Sequence, residues 1–339
     1  MSSLLKKAGL ALVGLLLFVT VYRAVRSEVP ASPETLAQQV ISFAQADKNS
    51  AQNLATEHSG TDENDENADS DNYISVEEAS ELLRDALLSR EQSFEVNVIS
   101  DLNLFDDDVF RARLYEPAFS EELSGESPFA GEFLHRNVSG GSYRLRSDDK
   151  RHWKVEFLNF TYTVSPQQSD EFEKRVYDVV CGMGIRNQSD YNKCLAIYNY
   201  ITTNVRYDYD TLELYREGES TGRELGYTAY AALVQGRAVC AGYAQLFYVM
   251  CRAVDLPVRI IRGEAYSMDT WDGHSWNAVE IEGTWYQVDC TWDEGLTMDQ
   301  WAFFLKGTDF PRHKVTSGMP AGVLISDGDY TPQKSSLSM

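Results

Sequence analysis

The pair Glu282-Gly283 constrains this 339-residue chain more than any other local feature. It separates two strand-like runs, 275–281 and 284–289, by the length of a two-residue hairpin loop. If these two residues form the turn, Ile281 lies opposite Thr284, Val279 opposite Tyr286, and Trp276 opposite Asp289. Side chains alternate along a strand with period two, so His274 shares a face with Trp276. Asp289 then sits one diagonal step from His274, about 7–8 Å between backbones, a gap that two polar side chains can bridge. A loop of odd length would flip this relation. A carboxylate beside an imidazole orients the ring and stabilises its cation, which is the acid–base half of a nucleophilic site.

The nucleophile half lies upstream. Cys240 follows Gly236 and opens a run with apolar residues at 243, 246, 247 and 250, the spacing of a helical stripe. Asp255-Leu256-Pro257 ends that helix, because a residue before proline is pushed out of the helical region. Cys240 is thus expected at a helix N-terminus, where unpaired N–H groups and the macrodipole favour an anionic sulfur. Taken alone it would be a buried structural cysteine. The joint spacing of Cys240, His274 and Asp289 points instead to thiol chemistry.

The motifs around these residues stand as Ala238-Val239-Cys240-Ala241-Gly242-Tyr243-Ala244, His274-Ser275-Trp276-Asn277 and Gly283-Thr284-Trp285-Tyr286-Gln287-Val288-Asp289-Cys290-Thr291-Trp292-Asp293. In this order they resemble the transglutaminase-like core of animal transglutaminases, peptide N-glycanases and many bacterial surface proteins. The resemblance covers roughly residues 170–315. It implies an α+β, papain-like core with the cysteine-bearing helix packed on an antiparallel sheet. It also implies Cys240 as nucleophile, His274 as base and acid, and Asp289 as the orienting carboxylate. Cys290 departs from the proline or small residue often found there. The aromatic-Cys-Trp context of animal transglutaminases is absent, which argues against protein crosslinking.

The rest of the chain divides by composition. Residues 1–27 read as a membrane anchor or signal sequence: Lys6 and Lys7, an apolar run from Ala8 to Tyr22, then Arg23 and Arg26. Such a segment would place the later domains outside the cytoplasm, membrane-anchored or secreted. Residues 28–72 read as an acidic, solvated linker. Its end offers two readings. Asn67, Asp69, Asp71, Tyr73, Ser75 and Glu78 fall at the ligand positions of a calcium loop, so residues 67–78 are a candidate structural Ca²⁺ site. Ser75-x-x-Glu78 is equally a capping box for the helix that follows.

Residues 73–168 read as a smaller α+β domain. It has a helix at 76–89, strands at 94–99, 109–115, 142–146 and 153–164, and a loop-rich insertion at 125–141. From 169 to 325 comes the catalytic domain, with helices at 170–181 and 189–205 and a polar loop at 206–230. A last strand is expected at 301–305, and 326–339 as a tail. Tyr227 and Tyr230, just ahead of the cysteine helix, are candidate oxyanion donors. His135, His152 and His313 are expected at the surface. With Cys240 free as nucleophile, Cys181, Cys194, Cys251 and Cys290 permit three disulfide pairings. No Cys-x-x-Cys or His/Cys spacing calls for zinc, and no cofactor is required.

A net charge of -22 without a basic stripe argues against nucleic acid as a partner. The expected function is a cell-envelope thiol enzyme that transfers or hydrolyses acyl groups of peptide or protein amides, some of them in the cell wall, through a thioester. A dedicated cysteine protease or amidase shares that mechanism. A non-catalytic surface scaffold that keeps the fold is the alternative.

Overall fold

A computed structural model describes residues 73–121, 127–216, 224–267 and 269–332. The expected anchor at 1–27 and linker at 28–72 lie outside the described residues, as do three of the six calcium-loop positions, Asn67, Asp69 and Asp71. Among the described residues, no helix is long and apolar enough to cross a membrane. Chain contacts separate two compact units, with the break between Tyr162 and Thr163.

The first unit opens with helix α1, Val76–Leu88. Ser75 Oγ accepts from the Glu78 amide at 3.1 Å, and Glu78 returns a carboxylate oxygen to the Ser75 amide at 2.8 Å. The capping box is therefore formed, and the Glu78 carboxylate is engaged in it. Strands β1 (Phe94–Ile99), β2 (Val138–Arg146) and β3 (His152–Tyr162) make an antiparallel sheet in the order β1-β3-β2. Its core joins Leu83 and Leu87 of α1 to Trp153, Val155 and Phe157 of β3.

Two expectations for this unit are corrected. Residues 109–115 are helical, not extended. Asp106 accepts from the amides of Asp108 and Val109, starting helical turns that run from Asp107 through Phe119. The buried residues Phe110, Leu114, Ala118 and Phe119 follow helical spacing rather than alternation. The 125–141 insertion contains helix α2, Gly131–Asn137, which runs directly into β2.

In the second unit, helix α3 spans Pro166–Met183 behind its own Ser165–Gln168 capping box, so it starts before residue 169. Helix α4, Asp190–Asn204, is capped by Ser189. The expected polar loop carries structure. Strand β4 (Arg206–Tyr207) pairs in parallel with β5 (Arg237–Ala238), and helix α5 (Tyr209–Arg216) follows β4. Helix α6, Cys240–Arg252, packs on an antiparallel sheet of β6 (Val258–Ser267), β7 (Thr270–Ile281), β8 (Thr284–Val288) and β9 (His313–Val315), in the order β8-β7-β6-β9.

The fold class is thus α+β with the cysteine-bearing helix against an antiparallel sheet. The run 301–305 forms no strand; the final strand is β9. The Asp293 carboxylate takes the amides of Ala302 and Phe303, both at 3.0 Å, and draws this stretch out of a ladder. Residues 326–330 are not a tail. Ser326 donates to the Trp285 carbonyl, Tyr330 to the Leu305 carbonyl, and the Tyr330 ring stacks on Tyr191 at 5.3 Å. None of the five cysteines is paired, and Cys194, Cys251 and Cys290 are buried thiols of the core.

Removing the α1 cap should loosen the first unit. Ser75→Ala should cost about 1 kcal/mol. Amide exchange in α1, read by mass spectrometry, should accelerate roughly fivefold at that cost.

Candidate active site

Helix α6 is buried along nearly all its length, from Tyr243 through Cys251, rather than on one stripe. A helix apolar on every side belongs inside a core, and this one presents its first residue to the site. Val239 is extended, and Cys240 is the first helical residue, 7% exposed. Gly242 lets the first turn lie against the preceding chain, since a Cβ there would stand 2.7 Å from the Thr228 carbonyl oxygen. One turn further, the Ala244 carbonyl accepts from Asn277 Nδ2 at 3.0 Å. That amide also reaches the Arg259 carbonyl on β6 at 3.3 Å. A single buried amide thereby ties the cysteine helix to the strand that carries His274.

The β7–β8 turn has the two-residue form. Glu282 and Gly283 have φ of 53° and 79°, the left-handed pair such hairpins need. The register is Ile281 with Thr284, Val279 with Tyr286 and Asn277 with Val288. One further step puts Asp289 opposite Trp276 and diagonal to His274. His274 Nε2 lies 2.7 Å from Asp289 Oδ2. Cys240 lies close enough to His274 to favour its protonated form. With Nε2 held by Asp289, Nδ1 is the ring nitrogen left for the sulfur. Cys240, His274 and Asp289 therefore stand together in the fold.

The carboxylate itself is 1% exposed. Asp289 Oδ1 accepts from the Thr291 amide at 2.8 Å. Its backbone is braced as well: the amide donates to the Phe303 carbonyl, and the carbonyl accepts from Tyr198 Oη at 2.8 Å. The same hydroxyl lies 2.7 Å from Asp293 Oδ2, so its one proton is shared between the two oxygens. Burial alone would raise the Asp289 pKa, but His274 and then His313 outweigh it and hold the carboxyl well below its usual range. Burial likewise works against the His274 cation. The Asp289 carboxylate, and Cys240 after it, overcome this and push the imidazole up to about 10. Both neighbours favour the protonated ring.

Several residues stand elsewhere than expected. His313 is not at the surface. Its side chain is 0% exposed, and its Nε2 lies 3.1 Å from Asp289 Oδ2. The assignment of 301–305 as the last strand had placed His313 in a trailing loop. The strand-compatible Lys314-Val315 after Pro311 was the available signal. His152 is exposed, as expected, and pairs with Asp149 at 2.6 Å. Tyr230 turns away from the sulfur and donates to Glu171 at 3.0 Å. Tyr227 contributes its carbonyl, which accepts from Gln245 Nε2 at 2.7 Å. A further phenol, not signalled by any motif, is Tyr207, carried by β4 beside Ala238. Burial, then the nearby Cys240, raise it well above the ordinary tyrosine value.

His274, Asp289 and His313 offer ligand atoms within 4.8 Å of one another, close enough to surround a cation. They already satisfy one another at 2.7 and 3.1 Å. Metal binding would have to replace both hydrogen bonds.

Residues 182–290 match the transglutaminase-like superfamily. The chain is similar to kyphoscoliosis peptidase of Mus musculus, 29% identical over 116 residues that cover 32% of this chain and 16% of that protein. The Homo sapiens protein of that name is 38% identical over 65 residues, 17% of this chain and 10% of that protein. The match thus spans a small part of either relative. Among solved structures, the periplasmic domain of TgpA from Pseudomonas aeruginosa aligns with 42% of this chain and 55% of its own at 14% identity and a TM-score of 0.28. A structure described as a TGase aligns with 61% of this chain and 53% of its own at 13% identity and a TM-score of 0.32.

The pKa shift of His274 sets a window in pH. A histidine raised from 6.5 to about 10 on folding stabilises the native state fully below 6.5. That contribution declines as pH rises above 6.5 and is lost through about 10. Urea unfolding of wild type and His274→Gln should differ by a few kcal/mol near neutral and slightly acidic pH. The difference should shrink steadily towards pH 10.

Proposed function

We propose that the transglutaminase-like segment is a thiol enzyme that cleaves or transfers acyl groups of peptide or protein amides. The supporting observation is one imidazole, 8% exposed, held by a buried carboxylate and near a cysteine at a helix start. In this reading the Cys240 thiolate attacks the amide carbonyl carbon while His274 stands protonated at Nδ1. The C–N bond breaks, the Nδ1 proton passes to the departing amine, and a thioester remains on Cys240. Water or a second amine then attacks the thioester and gives its proton back to His274, and the sulfur leaves as thiolate. Asp289 keeps Nε2 bonded through both halves, so the ring presents the same nitrogen to the sulfur each time.

Whether water or an amine completes the cycle depends on which reaches the thioester. The matched mouse and human proteins carry peptidase in their name, so new peptide N-termini are the first product to seek. The apolar run at 8–22 between basic residues supports an anchored or exported protein whose substrates lie at the cell envelope.

Iodoacetamide labelling tests the site without a known substrate. Cys181 is the exposed thiol and Cys240 is 7% exposed, so exposure alone would favour Cys181. At pH 6 Cys240 should nevertheless label first, as located by mass spectrometry. His274→Ala should slow that labelling at least tenfold, and Asp289→Asn should fall between the two. Equal rates in all three proteins, or faster labelling at Cys181, would overturn the assignment.

A further inference from the structure

Asp289 is the meeting point of two histidines. His274 and His313 both approach Oδ2, at 2.7 and 3.1 Å, from strands on either side of β6. On β6, Gly263 pairs with His274 and Ala265 pairs with His313. Residues two apart on a strand share a face, so the two imidazoles lie on one face of the sheet. Their ring centroids are 5.4 Å apart.

His313 is itself held at both ends. Its Nδ1 lies 2.8 Å from the Pro311 carbonyl oxygen and its Nε2 faces the carboxylate. A carboxylate can only accept, so the nitrogen that faces it, Nε2, is the one that donates. Around the ring stand Phe310 at 4.1 Å, Trp292 at 4.7 Å, Trp276 at 5.0 Å and Phe303 at 5.4 Å between centroids. Aromatic faces at such distances pack well against another flat ring. They would suit a leucine as well, and a leucine would not need a polar partner. An imidazole at full burial in this cage is explained by the bond it makes to Asp289.

We propose that His313 is a positioning residue of the active site: it fixes the Asp289 carboxylate, and Asp289 so fixed orients His274 against Cys240. This rests on the proposed roles of those three residues. Thr291 holds Oδ1, and His313 adds a second donor on Oδ2. Rotation of the carboxylate would break at least one of these bonds. Without His313, Oδ2 would have His274 alone, and the carboxylate could follow the imidazole instead of setting its direction.

The test uses the full chain and the rate of Cys240 alkylation by iodoacetamide at pH 6. His313→Leu keeps apolar bulk and removes the donor, and it should slow alkylation at least tenfold. His313→Gln keeps an N–H at the distance of Nε2, and it should recover at least half of that loss on a logarithmic scale. In an Asp289→Asn background, His313→Leu should change the rate less than twofold, because its action passes through the carboxylate. Should His313→Leu fail to fold, as judged by its melting curve, His313→Asn takes its place, since its amide stops short of Asp289. A folded Leu or Asn variant that alkylates at the wild-type rate overturns the proposal. So does an effect that persists undiminished in the Asp289→Asn background. If His274→Ala leaves alkylation unchanged, the proposed function itself fails. If His274→Ala slows it and the His313 variants do not, only the role of His313 fails.

Discussion

A carboxylate out of contact with water is the group around which the second unit is arranged. Removing an ionised carboxyl from solvent is costly unless donors replace the lost water. Asp289 receives them from three directions: the Thr291 amide, the His274 ring and the His313 ring. Each donor comes from a different local structure, namely the loop after β8, strand β7 and strand β9. The sheet order β8-β7-β6-β9 is the arrangement that brings these together. Asp293 plays a quieter version of the same part. Its carboxylate gathers the Ala302 and Phe303 amides and the Tyr198 hydroxyl, and so holds the chain that leads from Asp289 to β9.

The second constraint is the join between helix and sheet. Cys240 and His274 belong to elements with no hydrogen-bond ladder between them, so their distance depends on packing and on a few polar contacts. Asn277 supplies one of these, with its amide on the Ala244 and Arg259 carbonyls. Close approach at Gly242 supplies another. Both residues lie inside the recurring motifs around the cysteine and the histidine. Much of what those motifs specify is therefore the mutual placement of two scaffolding elements.

The parts of the site that were legible in the sequence are those with local geometry. The Glu282-Gly283 turn fixes a register, and a register places Asp289 beside His274 by counting. The Cys240 helix start follows from an apolar run that closes before Pro257. His313 was not legible, because its position depends on a nonlocal pairing between β9 and β6 that no periodicity in a three-residue strand reveals. Residues 301–305 misled for the related reason that aromatic content resembles strand propensity, while the structure there is set by Asp293 from a distance. In the first unit, 109–115 misled because three β-compatible residues outweighed the Asp106 cap. There the helical spacing of Phe110, Leu114 and Ala118 was the better guide.

The strand that brings His313 to the site is also the last along the chain of the four in its sheet. Along the chain the thiol comes first, the imidazole 34 residues later and the carboxylate 15 after that; the second histidine follows after another 24. Until that strand has paired with β6, the buried charge lacks one of its donors. The constellation is thus completed by a segment 73 residues downstream of the thiol, and depends on the longest-range pairing in its sheet.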